Sequence, residues 1–470
     1  MNDLLKINDK NIIQLIEYIK SSIKGTIFNN HVFLVGGFVR DSYMGKPCKD
    51  IDIVVDLPDG GVGFANFMTF KNGCLISNKN PVIFQTYGTA KFQLLNSPEF
   101  GDIEIECVQT RKEQYHKESR NPSTVFGTIE EDAMRRDLTI NALYYNVSTD
   151  EIKDYTGMGL YDIKHHIIRT PSNPDIIFED DPLRILRVIR FATRFGWGIE
   201  KKTWLGMIKN SKRILIVSKE RITEEINKIL LTEKPSLGIK RMLCCNHLLE
   251  YVIPSISHQT HIFQSLKPKL TLFEHTMGVL DSIEPKLEYR LSALLHDIGK
   301  LTTYKNGFFH HETVGKSLAE TLMKTMKYPN KMISNVCMAI EMHETFSSYK
   351  DKEIPCKKSL RKFKTIVGEN YDLVMALIDA NNKNQIYGKK INQITNIRQK
   401  IADLEAKEKN NLSKIQLPLN GKDIMERFNL KSCPLIGKLL KKVKDAYFDN
   451  PQMSKEEALD FVNDIIKKIV

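Results

Sequence analysis

No apolar run in this 470-residue chain reaches the roughly 18 residues that a membrane-spanning helix needs. The N-terminus is polar and amphipathic, unlike a secretory leader, so neither a membrane span nor export is expected. Cysteine is scattered: there are eight, with no C-x-x-C pair and only Cys244 and Cys245 adjacent. That pattern excludes a zinc ribbon and a disulfide framework, and reduced thiols in a cytoplasmic protein are expected. Internal repeats and low-complexity tracts are also missing, and nothing points to an obligate protein partner.

What is present is ordinary globular composition, with 41% hydrophobic and 27% charged residues, in a chain long enough for two to four domains. The net charge of +12 is uneven, because residues 381–470 hold 18 Lys and Arg against 11 Asp and Glu. A basic C-terminal fifth favours a polyanionic partner. Residues 4–24 read as an amphipathic helix, and β-branched strands are predicted at 32–35, 51–55, 82–84, 103–108 and 143–147, with a Pro/Gly loop over 57–63. After Pro174 the pattern is helical, with breaks at 232–238, 254–268, 352–358 and 409–421. The fold class is therefore α+β, a mixed-sheet head followed by an all-helical body. The expected boundaries are 1–150, 151–253, 254–385 and 386–470.

The most informative stretch is Leu34-Val35-Gly36-Gly37-Phe38-Val39-Arg40-Asp41, followed by Asp50-Ile51-Asp52-Ile53. It reads as a strand, a glycine turn, a helix start at Phe38, and a second strand. Alternation puts Asp50 and Asp52 on one face, where two acids repel unless a divalent cation joins them. Gly36 and Gly37 allow close backbone approach to a phosphate at the helix start. Asp102-Ile103-Glu104-Ile105-Glu106 offers a third acid, with the choice between Glu104 and Glu106 open. Downstream, Arg136 suits a triphosphate oxygen, while Asp137 and Asn141 suit a ribose hydroxyl. Asp181 before Pro182 is a good helix cap. Arg184, Arg187, Arg190 and Arg194 then share one helix face, where like charges require an anionic ligand or acidic neighbours. Asp181 and Arg184, one turn apart, pair an acceptor with a donor that can read the edge of a nucleobase.

In this order, Gly36-Gly37-x-Val39-Arg40-Asp41, Asp50-x-Asp52, Arg135-Arg136-Asp137-x-Thr139-Ile140-Asn141-Ala142 and Asp181-Pro182-Leu183-Arg184-x-Leu186-Arg187-x-x-Arg190-Phe191 resemble the motifs of class II tRNA nucleotidyltransferases, the CCA-adding enzymes. Ser218–Glu225 resembles the family's last, mainly structural motif, so the likeness covers residues 30–230. The resemblance implies a polymerase-β-like nucleotidyltransferase head with helical neck, body and tail. It implies Asp50 and Asp52 as magnesium ligands, Glu106 as the third acid, and Gly36, Gly37, Arg40, Arg136, Asp137 and Asn141 around the triphosphate and ribose. It implies Asp181 and Arg184 as an amino-acid template that selects CTP and then ATP for addition to tRNA, with Arg187 and Arg190 among the nucleotide-binding residues. The stretch between Arg111 and Met134 is long enough for the flexible loop that A addition needs. Alternatives are a bacterial poly(A) polymerase, an enzyme adding only CC or only A, and a non-catalytic tRNA-binding protein.

A second constellation follows: His275, His296-Asp297-x-Gly299-Lys300, His310-His311, His343 and Asp379. His-Asp side by side with flanking histidines is a metal-site composition. It resembles an HD-domain phosphohydrolase, which implies His275, His296, Asp297 and Asp379 as ligands of a divalent metal of unspecified identity. His311 and His343 would then bind a second ion or the phosphate. In the tail, a helix from Pro434 would expose Lys438, Lys441, Lys442 and Lys444 to an RNA backbone.

Overall fold

A computed structural model describes residues 5–7, 9–48, 50–71, 74–75, 81–84, 88–94, 103–116, 119–266, 269–347, 349, 354–384, 391–412, 418–430, 434–450 and 453–467. Helix α1 (Lys10–Ile23) starts later than expected because Asp9 caps it through the Asn11 amide. Then come β1 (Val32–Val35), α2 (Gly37–Tyr43), β2 (Ile51–Val55), α3 (Gly60–Thr69), β3 (Val82–Phe84), β4 (Thr89–Leu94) and β5 (Ile103–Gln109). A ribbon of β6 (Arg111–His116) and β7 (Ser119–Phe126) precedes α4 (Ile129–Met134), β8 (Leu143–Asn146) and β9 (Glu151–Asp154). Seven strands form one mixed sheet in the order β9-β8-β1-β2-β5-β4-β3, in which only β2 and β5 run parallel.

Strand β1 is buried along its whole length. Phe33 and Val35, with Val54, Ala142 and Tyr144, pack against Ile129 and Ala133 of α4. Two expectations change here. The glycines of 57–63 mark close packing as well as a loop: α3 begins at Gly60, and a Cβ on Gly61 would lie 2.6 Å from the Gly88 carbonyl. Within the stretch between Arg111 and Met134, expected to be long enough for a flexible loop, Arg111–His116 and Ser119–Phe126 pair as an antiparallel ribbon.

The helical region carries α5 (Pro174–Asp180), α6 (Leu183–Phe195) and α7 (Lys219–Leu230). It is not purely helical, since β10 (Phe263–Leu266) and β11 (Lys269–Thr271) form a hairpin and Ile167–Ile168 pairs with Gly198–Ile199. Helices α8 (Leu272–Ser282), α9 (Leu287–Leu295), α10 (His311–Thr325), α11 (Asn330–Met342) and α12 (Tyr371–Lys383) follow. All of these belong to one compact unit, Met1–Asp351 with Lys364–Ile391. A second unit, Lys352–Phe363 with Asn392–Val470, has its own core of Leu419, Ile424, Leu439, Val443, Ala458 and Val462. Within it α13 (Pro434–Asp449) exposes Lys438 and Lys442, while the side chains of Lys441 and Lys444 lie outside the described residues. Among the described residues no helix is long and apolar enough to cross a membrane.

Candidate active site and metal centre

Sheet register brings the head's acids together. Asp52 lies opposite Val35 of β1 on one side and opposite Glu106 of β5 on the other. That choice favours Glu106 over Glu104, which lies two residues further back on the same face. Asp50 is exposed just before β2, and Asp102 lies outside the described residues. Asp52 keeps solvent access, yet desolvation raises its carboxyl above the usual range, and Glu106 and Asp50 add repulsion that Arg136 and Lys91 partly offset. Lys91 of β4, which the sequence reading passed over, lies opposite Glu106 and places its ammonium 2.9 Å from Oε2. Among the described residues, these head acids do not gather three ligand atoms within 4.8 Å of one another.

The glycine turn borders this face. Gly36 has φ +74°, which L side chains rarely adopt, and a Cβ there would stand 3.5 Å from Asp52 Oδ2 and 3.9 Å from Arg136 Nη1. Arg136 is held from behind: its Nε donates to the Tyr144 hydroxyl at 2.9 Å and its Nη2 to Asp132 Oδ2 at 3.0 Å, so Nη1 is turned toward Gly36. Asp132 is fully buried and also binds Arg135. Burial would raise its carboxyl, but Arg136 and Arg135 outweigh that and hold it well below the usual range. Sequence reading missed Asp132; its one signal was its place three and four residues before two arginines.

The remaining polar residues form a chain of pairs. Arg40 is buried, donates to Asp41 at 2.8 Å and to the Asn141 side-chain oxygen, and lies over the Phe191 ring. Arg40 is therefore a brace between α2 and the segment that bears Asn141. The Asn141 amide donates to Asp137 Oδ1 at 3.0 Å, and Arg187 donates to Asp137 Oδ2 at 2.8 Å. Burial would raise the Asp137 carboxyl, but Arg187, the Asn141 amide and Arg184 hold it down at about 2. Glu225 of α7 binds Arg190 at 2.7 Å, and Asp41 binds Arg194 at 3.1 Å. Three arginines of the α6 face thus have acidic neighbours. Arg184 is buried at the start of that helix, beside Asp181. Asp181 Oδ1 accepts the Leu183 amide at 3.1 Å, and Oδ2 accepts from Arg221 of α7 at 2.9 Å.

In the helical region, His275 of α8, the His296-Asp297 turn after α9, His311 at the start of α10 and His343 after α11 converge in the interior. Two overlapping triads, His275-His296-Asp297 and Asp297-His311-His343, each place three candidate ligand atoms within 4.8 Å, and every member is buried. Asp297 Oδ2 lies 3.2 Å from His296 Nε2 and 3.6 Å from His275 Nε2. Its Oδ1 lies 3.3 Å from His311 Nε2 and 3.5 Å from His343 Nε2, yet makes no hydrogen bond of good geometry. The Nδ1–H groups of His296, His311 and His343 donate to the carbonyls of Ala293, Phe308 and Ile340 at 2.8, 2.9 and 2.6 Å. That tautomer leaves the Nε2 lone pairs facing inward, and those of His311 and His343 are only 3.3 Å apart. Burial lowers His275 to about 4, which keeps it neutral, as a metal ligand must be. A buried oxygen without a donor among inward lone pairs fits a cation.

One expected ligand is corrected. Asp379 binds Lys383 at 2.8 Å on the outer side of α12 and is not part of the cluster. Two residues on, about 200° around the helix, Asn381 places its Oδ1 3.0 Å from His275 Nε2. Lys300, four residues after His296, donates to Asp297 Oδ2 at 2.7 Å.

Comparison with known proteins bears on the head and on the overall fold. Residues 32–169 match the Poly A polymerase head domain, 196–269 match a region described as "Probable RNA and SrmB- binding site of polymerase A", and 308–462 match a tRNA nucleotidyltransferase domain 2. The structure resembles the crystal structure of the Bacillus stearothermophilus CCA-adding enzyme in complex with CTP, with TM-score 0.63 over 98% of both chains at 18% identity. The chain has the fold of the CCA-adding enzymes. It has a polymerase-β-like head with a mixed sheet followed by helical regions. In sequence, it is 38% identical over 229 residues to the mitochondrial CCA tRNA nucleotidyltransferase of Candida glabrata, across 44% of this chain and 40% of that one. A CCA-adding enzyme of Bacillus velezensis is 29% identical over 320 residues, 67% of this chain and 68% of that protein. The chain thus spans about two fifths of the length of the Candida relative.

Proposed function

We propose that this chain is a template-independent nucleotidyltransferase that adds C, C and A to tRNA 3′ ends from CTP and ATP. The observation that carries the reading is the Asp52–Glu106 register beside Gly36 and Arg136, with Asp181 just before, and Arg184 in, the helix that supplies Arg187 to Asp137. Desolvation raises the Asp52 carboxyl and repulsion from Glu106 and Asp50 adds to it, a strain that magnesium held by Asp50, Asp52 and Glu106 would relieve. When bound, two such ions supply alignment of the attacking 3′-hydroxyl and neutralisation of phosphate charge. The chain's own groups do the rest. Gly36 leaves room for the polyphosphate, and Arg136, anchored by Asp132 and Tyr144, presents Nη1 to it. Asp137 and Asn141, locked in their hydrogen-bond chain, border the ribose position, and Asp181 with Arg184 selects the base. Lys438, Lys441, Lys442 and Lys444 follow the tRNA backbone.

The buried His/Asp cluster is, in the same proposal, a metal-dependent phosphohydrolase site of the HD type. The donor-free Asp297 Oδ1 among inward Nε2 atoms supports it. His275, His296, Asp297 and Asn381 hold one side, and His311 and His343 the other.

The decisive experiment is incubation with 3′-trimmed tRNA and each labelled NTP, alone and combined, in magnesium. Two C residues and one A, in that order, are expected. A long A tract would make it a poly(A) polymerase, only C or only A a partial enzyme, and tRNA binding without incorporation a binding protein.

A further inference from the structure

We infer that Arg221 is the positioning residue of the base-selecting pair, and that nucleotide choice rests on the contact between helices α7 and α6 that it makes. The inference builds on the nucleotidyltransferase reading above. Arg221 lies in the first turn of α7, and its Nη2 donates to Asp181 Oδ2 at 2.9 Å. Asp181 stands just before α6, where its other oxygen accepts the Leu183 amide at 3.1 Å. The carboxylate is thereby held at both oxygens, one by its own helix start and one by the neighbouring helix. Each oxygen retains a further lone pair.

The rotation of that carboxylate decides what it can read. Cytosine and adenine both present an exocyclic amino donor where uracil and guanine present a carbonyl oxygen. A fixed acceptor beside the buried Arg184 donor accepts the first pair and repels the second. A site built around hydrogen bonds discriminates steeply only while its groups cannot turn to suit another partner.

The same helix fixes the next part of the face. Glu225, one turn beyond Arg221, is buried and binds Arg190 at 2.7 Å, with Arg187 at 3.9 Å. Helix α7 is therefore a backing for α6, with Arg221 at the end where the base would lie. Arg221 itself has 38% of its side chain exposed, so its truncation opens no buried hole.

The test compares Arg221→Ala, Arg221→Lys and wild type in two measurements. One is equilibrium binding of CTP, ATP and UTP in magnesium. The other is steady-state incorporation on 3′-trimmed tRNA, with kcat and KM taken separately. In Arg221→Ala the preference for CTP over UTP is expected to fall at least tenfold, mainly through KM, and Arg221→Lys is expected to recover most of it. Unchanged preference in folded Arg221→Ala overturns the inference. A uniform loss of kcat with preference intact overturns it too, since that is what a purely structural arginine would show. Wild-type protein that prefers CTP in binding yet extends no tRNA sinks the nucleotidyltransferase reading alone, and the binding ratios then still judge Arg221.

Discussion

The two constellations differ in how far the folded chain has already assembled them. In the head, Asp52 and Glu106 lie opposite each other on two neighbouring strands with Asp50 just before the first, all keep solvent access, and among the described residues they do not gather three ligand atoms within 4.8 Å. In the helical region, four histidines surround one buried carboxylate and all four Nδ1 atoms are held in place by backbone carbonyls. An open set of like charges suits ions that arrive with a polyphosphate, since the substrate brings the missing ligands. A buried set with fixed tautomers suits ions bound by the protein itself, because neutral imidazoles lose little on desolvation. On the proposed reading, the first site would be completed by its substrate, whereas the second is assembled by packing.

The sharpest way to break this contrast is in the head. Asp52→Ala is expected to lower nucleotide incorporation by about a thousandfold or more while the fold survives, because metal-assisted charge neutralisation contributes several kcal/mol to the barrier. Circular dichroism and incorporation on the same sample check it, and near-normal turnover would remove Asp52 from the site. Asp297→Ala should strip metal from the second cluster and abolish hydrolysis of a generic phosphodiester, with nucleotide addition changed less than about twofold. Metal analysis after dialysis, with assays in Mg, Mn, Co, Ni and Zn, reads this. Loss of nucleotide addition in a folded variant would show that the sites are coupled.

A smaller effect is expected at the reading pair. Arg184→Ala should erode the preference for CTP over UTP by about ten- to a hundredfold while incorporation of whatever binds slows less. Ordered addition of C, C and A at normal fidelity would assign Arg184 to the helix instead. The smallest effect separates support from chemistry through pH. Asp137 is depressed to about 2 in the fold, so the stability it adds is present above the unfolded value near 4 and fades as pH falls through 2. Asp137→Asn should therefore cost about 2 kcal/mol at neutral pH by that linkage, and less toward pH 2. Urea unfolding at several pH values measures it; a constant difference would mean that the carboxylate charge is not what matters.

Much of this was legible in the residues. The strands at 32–35, 51–55 and 82–84 have the bounds expected from β-branched runs. Strand β4 and the β10–β11 hairpin escaped, because Thr89-Ala90-Lys91-Phe92 and Phe263-Gln264-Ser265-Leu266 carry too few β-branched residues to stand out. The arginine face was readable as a demand for negative charge. That Asp137, Glu225 and Asp41 meet it was not, since those acids are 50, 35 and 153 residues from their partners.

Local spacing by itself determined which residues share a face: Asp50 with Asp52 two residues apart at a strand start, Asp181 with Arg184 one turn apart, and four arginines along α6. Such relations follow from the periods of the backbone and need no other part of the chain. Tertiary structure alone decided which distant groups meet. Strand pairing chose Glu106 for Asp52, helix packing put Arg221 on Asp181, and the rotation of α12 placed Asn381, not Asp379, beside His275. Those choices depend on register and on helix rotation, where a shift of one or two residues turns a different side chain inward, and only the packed core sets them.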